Sequence, residues 1–251
     1  MSSAYTQVNP SSSHTRLIAP SWRRQAVAFP GGSLDNRRME AQYHRQMIQD
    51  VLAPYFSAAD LQTIIRANLG QDSLLGLLRP VYHFDDSLFA AGEAYIAAQR
   101  QTAVAAITSQ QNRNVALQAF GRLLHGRQDF YAHSDWVPRW VAAHGGPDQC
   151  RPADIAICPD ATAVPGLTSG KSALHLYVLY RVPLFGPLLK RVYFPPDTHE
   201  AMNLDYPARG PLFPFAIAAA SKHTQAELDV LLAELQAKGG ETAVNRFLAK
   251  E

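Results

Sequence analysis

The sequence predicts a mainly α-helical, multi-helix bundle with one irregular insertion. Apolar residues recur at helical spacing through most of residues 38–134 and again through residues 213–250. Hydrophobic residues make up 47% of the 251 residues, which is enough to enclose a substantial core. Between the two helical regions, residues 137–210 are richer in Pro, Gly and Asp, and their apolar runs are short.

Four helices are predicted before the insertion, at residues 38–54, 58–70, 87–109 and 114–134. Pro54 stops the first helix because proline lacks the backbone N–H that a helix needs. Ser57 is expected to cap the second helix, which ends at Gly70. The stretch VYHFDD, residues 81–86, is expected to form a loop or the entrance to the third helix.

The insertion at about 137–210 is expected to contain loops and a β-hairpin. Its two strand-like runs are ALHLYVLY (173–180) and KRVYF (190–194). Helical spacing then returns around His199 and continues through residues 213–236 and 241–250. Residues 1–37 are rich in Ser, Pro and Arg, which predicts an extended or mobile arm before one helical domain at 38–251.

The charge distribution gives no indication of a nucleic-acid partner. The formal net charge is +2, and no block of Lys and Arg interrupts the sequence. The first residues lack the charged start and apolar run of a Sec signal peptide, and no run of 18 uncharged apolar residues predicts a membrane span. We therefore expect a cytoplasmic protein, or one exported by a route other than Sec.

Two cysteines, Cys150 and Cys158, lie in a loop rich in Pro and Asp. They are expected to be reduced thiols, with a loop-closing disulfide as the alternative in an oxidising compartment. Two thiols at this spacing match a structural zinc site poorly.

The segment LLHGRQDFYAHSDW, residues 123–136, contains the most informative pattern in the chain. Its His125, Asp129 and His133 are four positions apart, so each is rotated by about 40° from the last at about 100° per helical residue. All three side chains therefore lie on one stripe of a largely apolar helix. A buried carboxylate needs a cation or several donors, and Asp129 could bridge two cations about 3.5–4 Å apart. The stripe predicts a metal site.

Other segments supply candidate ligands for that site. His83 and Asp85 are two positions apart, so in an extended chain they would face the same side. Asp86 could orient a ligand or a water molecule. The remaining candidate metal ligands are His44, His199, Asp205 and His223. Any one of these histidines alone is more often a core or surface residue than a ligand.

The motif DFYAHS within this segment resembles the signature of the Het-C family, named for fungal heterokaryon incompatibility. The blocks HFD (83–85), LHGRQDFYAHSDW, LTSG (167–170) and HEAMNLD (199–205) occur in the same order as in that family. The resemblance covers roughly residues 40–235. Het-C proteins are in turn similar to zinc-dependent phospholipases C and zinc nucleases, which implies an all-helical bundle with up to three zinc ions in a cleft.

The resemblance implies roles for particular residues. His125, Asp129 and His133 match the His and Asp ligands of the central helix, and His44 resembles a ligand on an early helix. His83 to Asp86 resemble a segment whose carboxylate is both a metal ligand and a general base, so Asp85 or Asp86 would be catalytic. The chain departs from the pattern because no His lies between His83 and His125, and Asn203 follows His199 where the enzymes have Glu. One to three zinc ions are therefore expected, with two or more favoured.

The function implied is a metal-dependent phosphodiester hydrolase of the phospholipase C type. It would cleave phosphatidylcholine-like lipids into diacylglycerol and a phosphorylated head group. Two alternatives are a self-recognition or signalling module with a structural metal and a zinc nuclease, although the chain is short of basic residues for a phosphate track.

An apolar stretch in the insertion suggests a further contact. Leu184, Phe185 and Leu188, within residues 182–189, would suit a membrane interface at the tip of a hairpin. The alternative is that these residues cover the core or form a homo-oligomer contact.

Overall fold

The computed structural model describes residues 36–249 except 74, 77, 173–178 and 181. The arm predicted at residues 1–37 lies outside this part of the chain, apart from its last two residues. Most of the first predicted hairpin strand, ALHLYVLY, also lies outside it.

The described part is a mainly helical bundle, as the sequence predicts. Its α-helices are α1 (Asn36–Leu52), α2 (Ala58–Leu69), α3 (Phe89–Thr108), α4 (Arg113–His133), α5 (Trp136–Ala143), α6 (Phe185–Val192), α7 (His199–Met202) and α8 (Phe213–Leu248). Short 3₁₀ turns connect them at Gly70–Asp72, Pro80–His83, Asp85–Ser87, Pro152–Asp154, Ala161–Ala163 and Pro207–Arg209. None of the helices in the described residues is both long and apolar enough to span a membrane.

The start of α2 follows the predicted capping pattern. The Ser57 hydroxyl accepts a hydrogen bond from the Asp60 N–H at 3.2 Å, and the Asp60 carboxylate accepts one from the Ser57 N–H at 3.3 Å. This reciprocal pair satisfies backbone donors that the first helical turn leaves free. The Asp60 carboxylate also pairs with the Arg113 guanidinium, which lowers its pKa and joins the starts of α2 and α4.

Helix α4 lies at the centre of the bundle, packed against α2, α3 and α8. From Ala116 onward most of its side chains are buried, including those of Phe120, Leu123 and Phe130. Gly121 sets the approach of α4 to α2, because a Cβ atom there would lie 2.3 Å from the Ile64 carbonyl oxygen. Since α4 is enclosed, its polar side chains are held inside the bundle.

The β-hairpin predicted in the insertion is not confirmed. Within the described residues there are only two isolated β-bridges, Ser134 with Ser169 and Lys171 with Thr198. The strand predicted at KRVYF is wrong for residues 190–192, which end α6. The apolar residues of this segment also recur at helical spacing, and Pro187 lies in the first turn of α6, where a helix tolerates proline.

Helix α8 joins the two C-terminal helical segments that the sequence predicts separately. Gly240 interrupts it, with φ of 64° and ψ of −166°. Glycine adopts this positive φ without the steric cost that a side chain would add. The break falls between the two predicted segments, 213–236 and 241–250.

Replacing Gly121 with Ala should destabilise the bundle by about 1–3 kcal/mol, because the new methyl group would overlap the Ile64 carbonyl. Gly70→Ala is a matched control, since a Cβ at Gly70 meets no atom within 4 Å and its φ is −63°. Urea unfolding of both variants measures the difference. Equal stability of the two variants would contradict the close helix packing.

Candidate metal centre

The stripe of α4 lies inside the bundle. His125, Asp129 and His133 are 0%, 2% and 4% exposed. His125 Nε2 lies 3.0 Å from Asp129 Oδ2, and His133 Nδ1 lies 4.0 Å from the same oxygen. The side chains therefore converge on a buried carboxylate.

A first ligand group forms around Asp129 Oδ2 and consists of Asp72, His83, His125 and Asp129. His83 Nδ1 lies 2.7 Å from Asp129 Oδ2 and 3.1 Å from His125 Nε2. Asp72 Oδ1 lies 3.4 Å from His125 Nε2 and 3.9 Å from His83 Nδ1. Four potential ligand atoms thus surround one small volume.

The distances between these atoms lie in the range expected for neighbouring ligands of one zinc ion. Zinc–ligand distances of about 2.0–2.1 Å place neighbouring ligand atoms about 3.3 Å apart, and the separations of 2.7–3.9 Å bracket that value. The opposite ring nitrogens, His83 Nε2 and His125 Nδ1, are buried and have no hydrogen-bond partner within the described part of the chain. The polar contacts of both rings are therefore concentrated on the side that faces Asp129.

A second ligand group consists of Asp85, His133 and His199. His199 Nδ1 lies 3.0 Å from both Asp85 carboxylate oxygens, and His133 Nδ1 lies 3.6 Å from Asp85 Oδ1. On the other side of the His133 ring, Nε2 lies 3.3 Å from Asp205 Oδ1. The His199 side chain is 32% exposed, so this group reaches the surface.

A sharp turn brings His83 and Asp85 to α4. The segment 81–86, expected to be a loop or a helix entrance, consists of short 3₁₀ turns before α3, so the relation that an extended chain would give His83 and Asp85 does not apply. His83 ends one 3₁₀ turn and Asp85 begins the next, and Phe84 between them has the left-handed φ of 54°. The fully buried Phe84 ring fixes this turn, because a Cβ at Gly92 would lie 2.6 Å from it. His83 thereby enters the first ligand group and Asp85 the second.

His44, on α1, contacts the other oxygen of the central carboxylate. Its Nε2 lies 3.1 Å from Asp129 Oδ1, and its Nδ1 is 2.7 Å from Gln128 Oε1. That amide oxygen also accepts a hydrogen bond from Asn68, and the Gln128 amide nitrogen donates to Thr224. Because Gln128 Oε1 can only accept, His44 Nδ1 carries a proton and Nε2 faces Asp129.

The buried carboxylate and imidazoles shift one another's pKa values. Burial alone would lower the pKa of His44, but Asp129 outweighs it and raises that pKa to about 9. Burial likewise opposes the shifts at His133 and Asp129. Nevertheless, Asp129 and Asp205 raise the pKa of His133 well above its usual range, and His125 and His133 hold the pKa of Asp129 well below its own. The carboxylates therefore require positive charge from protons or from metal ions.

Two of the predicted site residues lie away from these groups. Asp86, predicted as a possible catalytic residue, accepts hydrogen bonds from the Ser172 N–H and hydroxyl at 2.8 and 2.6 Å. Its carboxylate is therefore engaged with Ser172. His223, predicted as a metal ligand, lies with its Nδ1 2.7 Å from the Tyr131 hydroxyl and its Nε2 3.8 Å from Glu227.

His223 belongs to an ionic cluster on the opposite face of α4. Arg127 donates two hydrogen bonds to the Glu93 carboxylate, each 2.7 Å long, and one to Glu227, 2.6 Å long. Arg100 donates to Glu227 as well. Burial and the positive charge of Arg127 lower the pKa of His223 to about 3. His223 is therefore a neutral hydrogen-bond acceptor for the Tyr131 hydroxyl.

Sequence reasoning missed Asp72 and Gln128. Asp72 lies in the 3₁₀ turn that follows α2, and only its position just after the predicted helix end at Gly70 could have drawn attention to it. Gln128 immediately precedes Asp129. Its amide side chain is not one of the residue types whose spacing indicates a metal site, so the sequence pattern did not point to it. The two cysteines are both free thiols.

Comparison with known proteins identifies a different relationship from the one the motif suggested. Residues 41–140 match the model of the family described as the VWA7 N-terminal domain. This segment contains His44, the turn from His83 to Asp85, and the whole α4 stripe. It covers about two fifths of the chain.

Relatives of the same name occur in three mammals. The chain is 32% identical over 159 residues to von Willebrand factor A domain-containing protein 7 of Mus musculus, with 51% of the chain and 17% of the relative covered. It is 32% identical over 139 residues to the protein of that name from Rattus norvegicus, with 45% and 15% covered. The Homo sapiens protein is 37% identical over 100 residues, with 36% and 11% covered. The chain thus spans about a sixth or less of these relatives.

These findings correct the interpretation of the motif. The resemblance to the Het-C family is wrong, because the family match and the relatives all carry the VWA7 name. The inferred phospholipase C activity rested on that resemblance and is wrong with it. The nuclease and self-recognition alternatives have no support either. No solved structure matches the chain, and the zinc phospholipase type of bundle is not confirmed.

The buried His223 predicts a specific response to acid. Its pKa is 6.5 when unperturbed and about 3 in the folded chain, so between these values the unfolded chain binds a proton that the folded chain does not. The stabilisation is complete above pH 6.5 and is lost as the pH falls toward 3, at up to about 1.4 kcal/mol per pH unit.

His223→Gln removes this titration and should flatten the decline of the unfolding free energy between pH 6.5 and 3. The exposed His144 provides the control, and His144→Gln should keep the wild-type slope. Urea unfolding at a series of pH values gives both curves. Parallel curves for wild type and His223→Gln would show that His223 titrates normally.

Proposed function

We propose that this chain is a helical domain that binds divalent cations, with zinc as the ion and two ions per chain. The first ion is held by His83, His125 and Asp129 with Asp72, and the second by the group of Asp85, His133 and His199. The observation that carries the proposal is the approach of His83 Nδ1, His125 Nε2 and Asp129 Oδ2 to within 2.7–3.1 Å of one another in a buried pocket. Imidazole and carboxylate ligands in near-tetrahedral spacing favour zinc.

The charge of the site supports two ions. Four carboxylates lie within 4 Å of imidazole nitrogens in this region, which contains five imidazoles. The carboxylates belong to Asp72, Asp85, Asp129 and Asp205. Two divalent cations would balance their four negative charges while every imidazole stays neutral, which is the form that binds metal. Without metal the same charge must be offset by protonated histidines, as the raised pKa values of His44 and His133 indicate.

The surroundings of the site favour a mainly structural role for the metal. The ligands come from α4, from the turns at Asp72 and His83 to Asp85, and from α7, so bound ions would join segments that are far apart in sequence. Ion binding to such a site contributes directly to the free energy of folding, because the unfolded chain lacks the assembled ligands.

A small opening lies beside the first group. A cavity of about 20 Å³ is lined in part by His44, Asp129 and Asp205. It is large enough for a single water molecule, for which roughly 10–15 Å³ is needed. Together with the partly exposed Asp72 and His199 side chains, this cavity gives ions a route of exchange.

The segment that matches the VWA7 N-terminal domain contains most of the proposed ligands. Residues 41–140 contain the whole first group and two members of the second. His199 and Asp205 lie beyond the matched residues.

Metal analysis of the purified full chain should find about two zinc ions, one for each ligand group. His199→Gln should reduce the content to about one ion, because only the second group loses a ligand. His144→Gln, on the exposed end of α5, should keep both ions. Anomalous scattering at the zinc edge would locate the ions, and a zinc-reconstituted wild-type chain with no bound metal would overturn the proposal.

Removing the metal should destabilise the chain. A site with free zinc at a hundred times its dissociation constant contributes about 2.7 kcal/mol, so a chelator should lower the unfolding free energy by roughly that amount per ion. Thermal unfolding with chelator, and then with zinc or magnesium added back, measures this. Zinc should restore the midpoint and magnesium should not, because magnesium prefers oxygen ligands. An unchanged midpoint after verified metal removal would contradict the structural role.

A further inference from the structure

Helix α6 and the residues next to it form an exposed apolar surface. This α6 surface consists of exposed side chains of residues 182–193, namely Val182, Leu184, Phe185, Leu188, Val192 and Tyr193. Leu184 is 94% exposed, Val192 80% and Leu188 60%. These side chains do not cover the core of the described bundle, because they point into solvent.

The orientation of α6 explains the exposure. At about 100° per residue, Phe185, Leu188 and Val192 fall within about 60° of one another on the helix. Gly186 lies on a different side and is buried, and a Cβ atom there would be 2.1 Å from the Tyr180 carbonyl oxygen. Helix α6 therefore rests on its Gly186 side and presents an apolar stripe outward.

A salt bridge fixes this orientation. Lys190 Nζ lies 2.7 Å from Glu200 Oε1 on α7, and the same ammonium lies 5.2 Å from the centre of the Phe194 ring. Lys190 is thus on the polar side of α6 and ties it to α7. The apolar stripe is held in place by contacts on the opposite side of the helix.

An exposed cation borders the stripe. Lys171 and Lys190 are paired with Asp197 and Glu200, at 2.6 and 2.7 Å, and Arg191 lies on α6 itself. Arg191 is exposed and lies beside Leu188 on the helix, at about 60°. An apolar helical face bordered by an exposed guanidinium complements a surface that is apolar inside and anionic outside, which describes an anionic lipid membrane.

We propose that α6 and the turn before it dock on the surface of an anionic lipid membrane. Leu184, Phe185, Leu188 and Val192 enter the boundary between head groups and acyl chains, and Arg191 contacts lipid phosphates. A symmetric contact with a second copy is less favourable, because it would bring two Arg191 side chains together at an apolar interface. The proposal is independent of the bound metal.

Flotation of the zinc-reconstituted full chain with vesicles tests the proposal. The wild type should bind vesicles of phosphatidylcholine with phosphatidylserine, bind vesicles of phosphatidylcholine alone more weakly, and dissociate as salt increases. A Leu184→Asp/Leu188→Asp variant should lose about tenfold or more in affinity. Val230→Asp is the matched control, because Val230 is an exposed apolar residue of α8, and it should bind like the wild type.

Two further measurements separate the possible failures. Thermal unfolding and zinc content of each variant should equal those of the wild type, which shows that lost vesicle binding is not lost folding or lost metal. Sedimentation velocity without lipid should give a monomer. Absent wild-type binding, equal binding by the Leu184→Asp/Leu188→Asp variant, or a dimer that this variant dissociates would each overturn membrane docking, and the last would assign the surface to a second copy.

Discussion

The buried Asp129 carboxylate is the constraint on which the rest of the structure depends. An ionised carboxylate in the centre of a helical bundle is costly unless opposite charge or several donors surround it. His125 and His44 approach its two oxygens at 3.0 and 3.1 Å, and His83 approaches Oδ2 at 2.7 Å. These contacts bring α1, α4 and the turn after Pro80 to a common point. The bundle must therefore supply positive charge at the point where these three segments meet.

Local patterns predicted the parts of this site that a single helix determines. The stripe of His125, Asp129 and His133 follows from helical periodicity alone, and the Ser57 cap follows from the residues next to it. The turn at Phe84 could not be predicted in this way, because its left-handed backbone is imposed by packing of the aromatic ring against Gly92. The contribution of Asp72 likewise depends on how α2 packs against α4. Tertiary contacts, which leave no periodic signal, decide both.

The error in identification has a physical origin as well. His and Asp repeated at every fourth position will arise wherever a helix has to present several ligands to one pocket. The pattern therefore indicates which side chains face a common pocket. It does not indicate descent from a particular family. Residues 41–140 match the VWA7 N-terminal domain even though they contain this pattern. The inference from residues to a metal-type pocket and the inference from motif to enzyme are separate, and only the second is contradicted.

The two faces of α4 show how position alone decides the behaviour of a histidine. On one face the carboxylate of Asp129 raises the pKa of His44 to about 9, and on the other burial and the guanidinium of Arg127 lower the pKa of His223 to about 3. The sequence contains no local difference that predicts this contrast, since both are single histidines within helices. Beside Asp129 the positive charge comes from imidazoles, which depend on protonation, whereas beside Arg127 the guanidinium groups are already paired with glutamates. Both faces of α4 thus carry acidic side chains, and they differ in the bases that accompany them: imidazoles on the Asp129 face and guanidinium groups on the Arg127 face.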